Sequence, residues 1–261
     1  MKRSSGARIG ATAAVSVLSL ALITGCSDEG SDSSKGSDSA SSSPTAPAAK
    51  ALTTAELKKL LIAQGDVKGY KVEAVDESYP TSKSEVKVDK TECRPLAYTM
   101  AGLAPGDTDA NASITAGEDK SPDASKALED MTEDALADAF DVSMTLVGLS
   151  SYDGDGAEKT FKSVSDAVAS CAGGFTISAQ GEDQKLNKIA SEKASGAGDE
   201  SVAFAASGEM EEAGTGDVHM EVVRHGNTIA TYYTFNLGKL TSGGAYTVPS
   251  VVVDAQAAKL K

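Results

Sequence analysis

The chain of 261 residues has no Trp, only two His and three Cys, and its 24 basic residues are outnumbered by 38 acidic ones. The resulting formal charge of -14 denies it the basic footprint with which a nucleic-acid binder meets phosphates, so no nucleic-acid partner is expected. An anionic leaflet repels such a surface, and membrane attachment has to come from something other than a basic patch. Scarcity of His and Cys leaves little for a metal: five residues separate His219 from His225 and no third ligand stands at a fixed spacing. Neither a metal nor a cofactor is expected. Also missing are a Gly-x-Ser-x-Gly elbow, a dinucleotide fingerprint, a Gly-rich phosphate loop with its Lys, and a His-Glu-x-x-His pair. With no constellation of nucleophile and base in view, a secreted hydrolase falls behind non-enzymatic readings.

What the chain does have is an apolar run from Ile9 to Ile23 behind Lys2, Arg3 and Arg8, closing on Ile23-Thr24-Gly25-Cys26. A basic start, a hydrophobic stretch and small residues before a Cys make residues 1–25 a secretory signal rather than a spanning helix. The closing run resembles a bacterial lipobox, with Ile23 where that family more often has Leu. The resemblance implies cleavage before Cys26, a diacylglycerol on its sulfur and usually an acylated, palmitate-type N-terminus. Each buried CH₂ contributes roughly 0.8 kcal/mol, so two or three chains hold a protein on the extracellular face of the cell membrane far better than one. The alternatives are an uncleaved anchor and an ordinary secreted protein.

Residues 26–50 form the lipid-anchored tether. Ser27 to Lys50 holds nine Ser with Gly, Asp, Ala and two Pro, and no sustained apolar pattern. Such a segment cannot bury enough surface to offset roughly 1–2 kcal/mol of backbone entropy per residue. Gly/Ser-type scaling gives it a reach of about 25–30 Å. Residues 51–261 have no second linker of this kind and are expected to make a single extracellular α+β domain. Lipidation of Cys26 leaves Cys93 and Cys171 in an oxidising location, where a disulfide is expected; two buried free thiols are the alternative.

Within the domain, Thr53-Thr54-Ala55-Glu56 can cap a helix with Leu57, Leu60 and Leu61 on its apolar stripe, ended by Gly65. Strands are expected at Tyr70 to Val75, Glu85 to Val88, Ala112 to Ala116 and Phe140 to Leu149. Cys93 to Met100 favours a short helix with Pro95 in its first turn. Asp130 to Asp138 is an acidic helical turn or an irregular approach to the next strand. Tyr152-Asp153-Gly154-Asp155-Gly156 reads as a turn rather than calcium ligands, because the rest of an EF-hand loop is missing. Phe161, Val164, Ala167, Val168 and Cys171 recur at helical steps. Further strands are expected at Phe175 to Ala179, Leu186 to Glu192 and Ser201 to Ala205, and a terminal helix is expected from Pro249 with Val251, Val252, Ala255 and Ala258 on one side. The run Val251-Val252-Val253 also suits a strand end.

The sharpest signal is a hairpin, Val218 to His225 and Thr228 to Leu237, turning at Gly226-Asn227. Its register places Val218, Met220 and Val222 on a core face with Ile229, Thr231, Tyr233, Phe235 and Leu237. On the opposite face His219 and Glu221 stand beside Tyr232, as a polar ligand surface or an ordinary exposed sheet face. The whole assembles into a twisted antiparallel sheet packed against several helices.

The lipobox, the Ser-rich tether, Cys93-Arg94-Pro95-Leu96, the helix ending at Cys171, Ser195-Gly196-Ala197-Gly198-Asp199, Arg224-His225-Gly226-Asn227 and the ending Asp254 to Leu260 together resemble an actinobacterial cell-surface lipoprotein. The arrangement is distantly similar to the extracellular sensor domains of mycobacterial serine/threonine kinases, which implies an antiparallel sheet, helices, disulfides and a cleft. No kinase catalytic region is present. The expectation is a non-enzymatic envelope protein that binds a small molecule, lipid or envelope protein, with surface scaffolding as the alternative.

Overall fold

Thr53 caps the first helix as its sequence dictates. Its hydroxyl accepts the Glu56 N–H at 3.3 Å, and the Glu56 carboxylate accepts the Thr53 N–H at 2.8 Å, closing a reciprocal cap on helix α1, Thr54–Leu60. The computed structural model describes residues 49–120, 140–210 and 214–261. The signal segment, Cys26, the tether to residue 48 and the acidic stretch Asp130 to Asp138 lie outside the described residues.

After α1 come β1 (Tyr70–Ala74), β2 (Val86–Val88), α2 (Arg94–Met100), β3 (Asn111–Glu118) and β4 (Ser143–Ser151). Then follow α3 (Gly156–Ser170), β5 (Phe175–Ala179), β6 (Glu182–Glu192), β7 (Glu200–Met210), β8 (Gly214–His225), β9 (Thr228–Asn236), α4 (Leu237–Ser242) and α5 (Ser250–Lys259). The nine strands form one antiparallel sheet in the order β1-β3-β4-β9-β8-β7-β6-β5-β2. The hairpin register is the expected one, with Arg224 opposite Ile229 and His225 opposite Thr228. Leu186 to Glu192, strand-like only by its neighbours in the sequence, is indeed strand. Among the described residues no helix is long and apolar enough to cross a membrane.

Helices cover both faces of the sheet. On one, Met220, Val222 and Ile229 pack with Leu96 of α2 and Val164 and Val168 of α3; on the other, Val223, Ala230 and Tyr232 pack with Leu57 of α1 and Val252 and Val253 of α5. Cys93, just before α2, is bonded to Cys171 at the end of α3, with Cα atoms 5.9 Å apart. That bond lies beside the pairing of β2 with β5, which comprises three residue pairs.

Strands β1 and β2 are consecutive in sequence yet occupy opposite margins of the sheet. A flat sheet of this order is roughly 38 Å wide at about 4.8 Å per strand step. The link of residues 75–85 reaches about 40 Å when fully extended. It is not extended: Tyr79 N–H turns back to the Asp76 carbonyl at 3.4 Å, and Lys83–Glu85 is a 3-10 turn. The sheet therefore curls, and Tyr79 and Pro80 of the link lie over Tyr233 and Phe235 of β9.

Two expectations about faces are corrected. Leu237 does not continue the core face of β9; it starts α4 and is 53% exposed. In α5 the buried side is Val252, Val253 and Gln256, while Val251 points outward. A polar contact sets that rotation: the Gln256 amide donates to the Leu60 carbonyl at 2.7 Å and accepts the Ile62 N–H at 3.0 Å. Both backbone groups sit at the end of α1, where a buried helix terminus needs partners.

Candidate functional site

His219, Glu221 and Tyr232 do share a face, with Glu221 directly opposite Tyr232 across β8 and β9. That face is not an exposed sheet surface, because α1, α5 and the chain leading into α5 lie over it. His219 is 7% exposed, Glu221 4%, and Tyr232 is wholly buried. Tyr232 is thus a core residue rather than part of an accessible surface. The other two remain at the edge of this covering layer, where it leaves a groove.

The groove has two lobes. One, of about 440 Å³, is bounded by Glu192, Asp217, His219, Lys239, Leu240 and Tyr246. The other, of about 550 Å³, is bounded by Glu192, Ser195, Ala203, Glu221, Thr247 and Val248. Glu192 and Thr247 belong to both. Strand β6 brings Glu192 to the groove at its last residue, and β8 brings His219 and Glu221 by alternation. Tyr246 and Thr247 come from the link between α4 and α5, which Gly243 frees from α4 by taking a left-handed conformation at φ 71°.

His219 Nδ1 lies 3.0 and 2.9 Å from the two Glu192 carboxylate oxygens. The Tyr246 ring stands edge-on to His219, with centroids 4.4 Å apart, and its hydroxyl donates to the Asp217 carbonyl. Burial, with the Asp217 and Glu192 charges adding to it and a backbone hydrogen bond at Asn236 opposing, pushes the Tyr246 phenol up to about 12. It is therefore a neutral donor at physiological pH. Glu221 Oε1 accepts the Ser195 N–H at 2.9 Å and the Ser195 hydroxyl as well. Lys239, on the far wall, is paired with Asp141 at 2.9 Å.

The Tyr232 hydroxyl is buried without a hydrogen-bond partner. Burial first, then the charges of Glu221 and Asp254, hold its pKa far above the usual phenol range. An unsatisfied buried hydroxyl costs about 1–3 kcal/mol. The second His is no part of the groove. His225 Nε2 is also buried without a partner, and burial lowers its pKa against the opposing charge of Asp199.

The other sequence features have structural work. Asp199 accepts from Arg224 at 3.2 Å and from the Gly226 N–H at 2.7 Å, while Glu200 takes Arg224 Nε at 2.7 Å, so Ser195 to Asp199 is laced to the hairpin tip. Asp153 caps the Ala51 N–H at 2.7 Å, and Asp155 pairs with Lys159 at 2.8 Å. Among the described residues no group of three His, Cys, Asp or Glu is placed to hold a metal ion. Glu192, Tyr246 and Thr247 are groove residues that local sequence did not single out, and Ser195 stood out only as the start of the Ser195 to Asp199 motif. Glu192 and Ser195 stand 27 and 26 residues from their partners His219 and Glu221, so spacing could not reveal the contacts.

No protein-family model matches the chain, and no curated protein does. Among solved structures, it is similar in fold to the extracellular domain of PknH from Mycobacterium tuberculosis, at 13% identity and a TM-score of 0.46, over 81% of this chain and 95% of that one. A second similar structure is an uncharacterized protein from Mycobacterium smegmatis, the Rv0999 ortholog, at 12% identity and a TM-score of 0.33, over 79% of this chain and 94% of that one. At these identities the likeness is one of fold.

Proposed function

We propose that this chain is a lipid-anchored envelope protein that holds a ligand in the groove beside His219 and Glu221 without converting it. The observation that carries the reading is the groove itself: two lobes of about 440 and 550 Å³ share a wall at Glu192 and Thr247 and receive nearly buried His219 and Glu221. Those volumes fall in the range of small-molecule sites, where a few fixed polar groups orient an otherwise apolar contact. The secretory signal and lipobox support placement outside the cell membrane, and a disulfide suits an oxidising compartment. The ligand is a small molecule, a lipid or part of an envelope protein.

Full-length protein in detergent, incubated with native envelope lipids and metabolites, is expected to retain a component that slows hydrogen exchange at 192–197, 217–221 and 243–250. Retention through the tether or lipid alone, with exchange at those segments unchanged, overturns the groove reading and leaves surface scaffolding. Attachment is tested separately. Cys26→Ala is expected to abolish labelling by radioactive palmitate and to shift the protein out of the membrane fraction, and a label that persists in this variant rejects Cys26 as the acylated residue.

A further inference from the structure

Glu221 is only 4% exposed, yet among the described residues no Lys, Arg or His comes within ion-pair distance of it. Ser195 supplies two donors, both to Oε1. The second oxygen, Oε2, makes no hydrogen bond to the described chain and, unlike the Tyr232 hydroxyl, is not sealed from the groove. A carboxylate withdrawn from water is unfavourable unless a countercharge or a full set of donors compensates it. Directly opposite on β9 stands Tyr232, whose hydroxyl also has no partner. The Tyr232 hydroxyl is sealed beneath the groove, so the incomplete group that a ligand can reach is Glu221 Oε2.

The surrounding charge has a sign. Glu192, which holds His219, lines both lobes, Asp217 lines the neighbouring one, and Asp254 lies near enough to act on the Tyr232 phenol. Of the groove's lysines, Lys239 is occupied by Asp141, and Lys193 stands exposed at the rim. The walls beside Glu221 include Ala203, Val248 and Thr247, which suit a short carbon stem. We infer that the groove takes an organic cation, an ammonium or guanidinium group on an apolar stem, with its charged end on Glu221 Oε2. The inference rests on the groove being the binding site.

The test is an NMR titration of full-length protein in detergent micelles with n-butylammonium and n-butylguanidinium, beside the short-chain anion butyrate and neutral n-butanol. The cations are expected to shift the amides of Ser195, Glu221 and Thr247. Glu221→Gln, which keeps the shape and removes the charge, is expected to weaken cation binding roughly tenfold or more. Thr247→Lys, at an exposed groove position, places a built-in ammonium beside Glu221 and is expected to abolish cation binding without altering the floor, so the outcome does not depend on whether the Glu221 variant folds. Shifts from butyrate or butanol as strong as those from the cations, or unchanged cation affinity in either variant, overturn the cation assignment and leave the groove as a site of another chemistry. Silence of every probe at tens of millimolar also overturns it, and the envelope-extract experiment then decides separately whether the groove binds anything.

Discussion

Replacing Cys93 and Cys171 together with Ala lowers the free energy of unfolding by about 4 kcal/mol. The bridged residues are 78 apart in sequence, and closing a loop of that size removes roughly 4–5 kcal/mol of entropy from the unfolded chain. The loss is expected to be local before it is global. Strand β2 contributes three residue pairs to β5, too few to hold a sheet margin unaided, and the disulfide joins the turn after β2 to the end of α3, just ahead of β5. Amide exchange at Lys87 and Asp89, the residues whose N–H groups face β5 by antiparallel alternation, should therefore accelerate at denaturant concentrations where β8 and β9 stay protected. Urea titration of the oxidised protein and the double variant measures the first effect. A difference below about 1 kcal/mol, with β2 still protected, would remove the bridge from its place as the main covalent support of this margin.

Gly174→Ala is expected to cost roughly 3 kcal/mol or more. Gly174 turns the chain from α3 into β5 at φ +76°, a conformation that costs an L residue about 1–2 kcal/mol. Worse, a Cβ there would stand 2.0 Å from the Leu186 carbonyl oxygen and 2.7 Å from the Asn187 carbonyl carbon, both backbone atoms with no rotamer to yield. Relief requires moving β6 where its register with β7 already shifts between Leu186 and Lys188, which adds about 1–3 kcal/mol. The adjacent Gly173 is the control: a Cβ there meets nothing within 4 Å, so Gly173→Ala should stay within about 0.5 kcal/mol of wild type. Similar melting temperatures for the two variants would discredit this account of the corner.

Local chemistry made several elements legible. The Thr53 and Glu56 cap, the Gly226-Asn227 turn and the helical recurrence from Phe161 to Cys171 each depend on residues a few positions apart, and each is where the pattern puts it. Alternation on β8 correctly placed His219 and Glu221 on one face. It could not say what covers that face, because α1 and α5 arrive from the two ends of the described chain. Tyr232 looked like a polar surface residue for the same reason and is core. Gln256 was the hardest to see: a polar residue on a helix of Val and Ala is buried only because Leu60 and Ile62, almost two hundred positions away, present bare backbone groups to it. Its hydrogen bonds, not apolar periodicity, decide which side of α5 faces inward.

The path of residues 75–85 from one margin of the sheet to the other ties two hazards together. An unpaired strand margin is a template on which another chain can add. Here β1 borders one such margin, β2 shields the other by covering β5, and the same short link runs between them. Before the Cys93–Cys171 bond forms, β2 is held by its three pairs with β5 and its packing alone. If it lifts away, the β5 edge is bared and the link loses its anchorage at that end, slackening its hold on β1. Forming the Cys93–Cys171 bond thus guards the chain against self-association at both margins of the sheet at once.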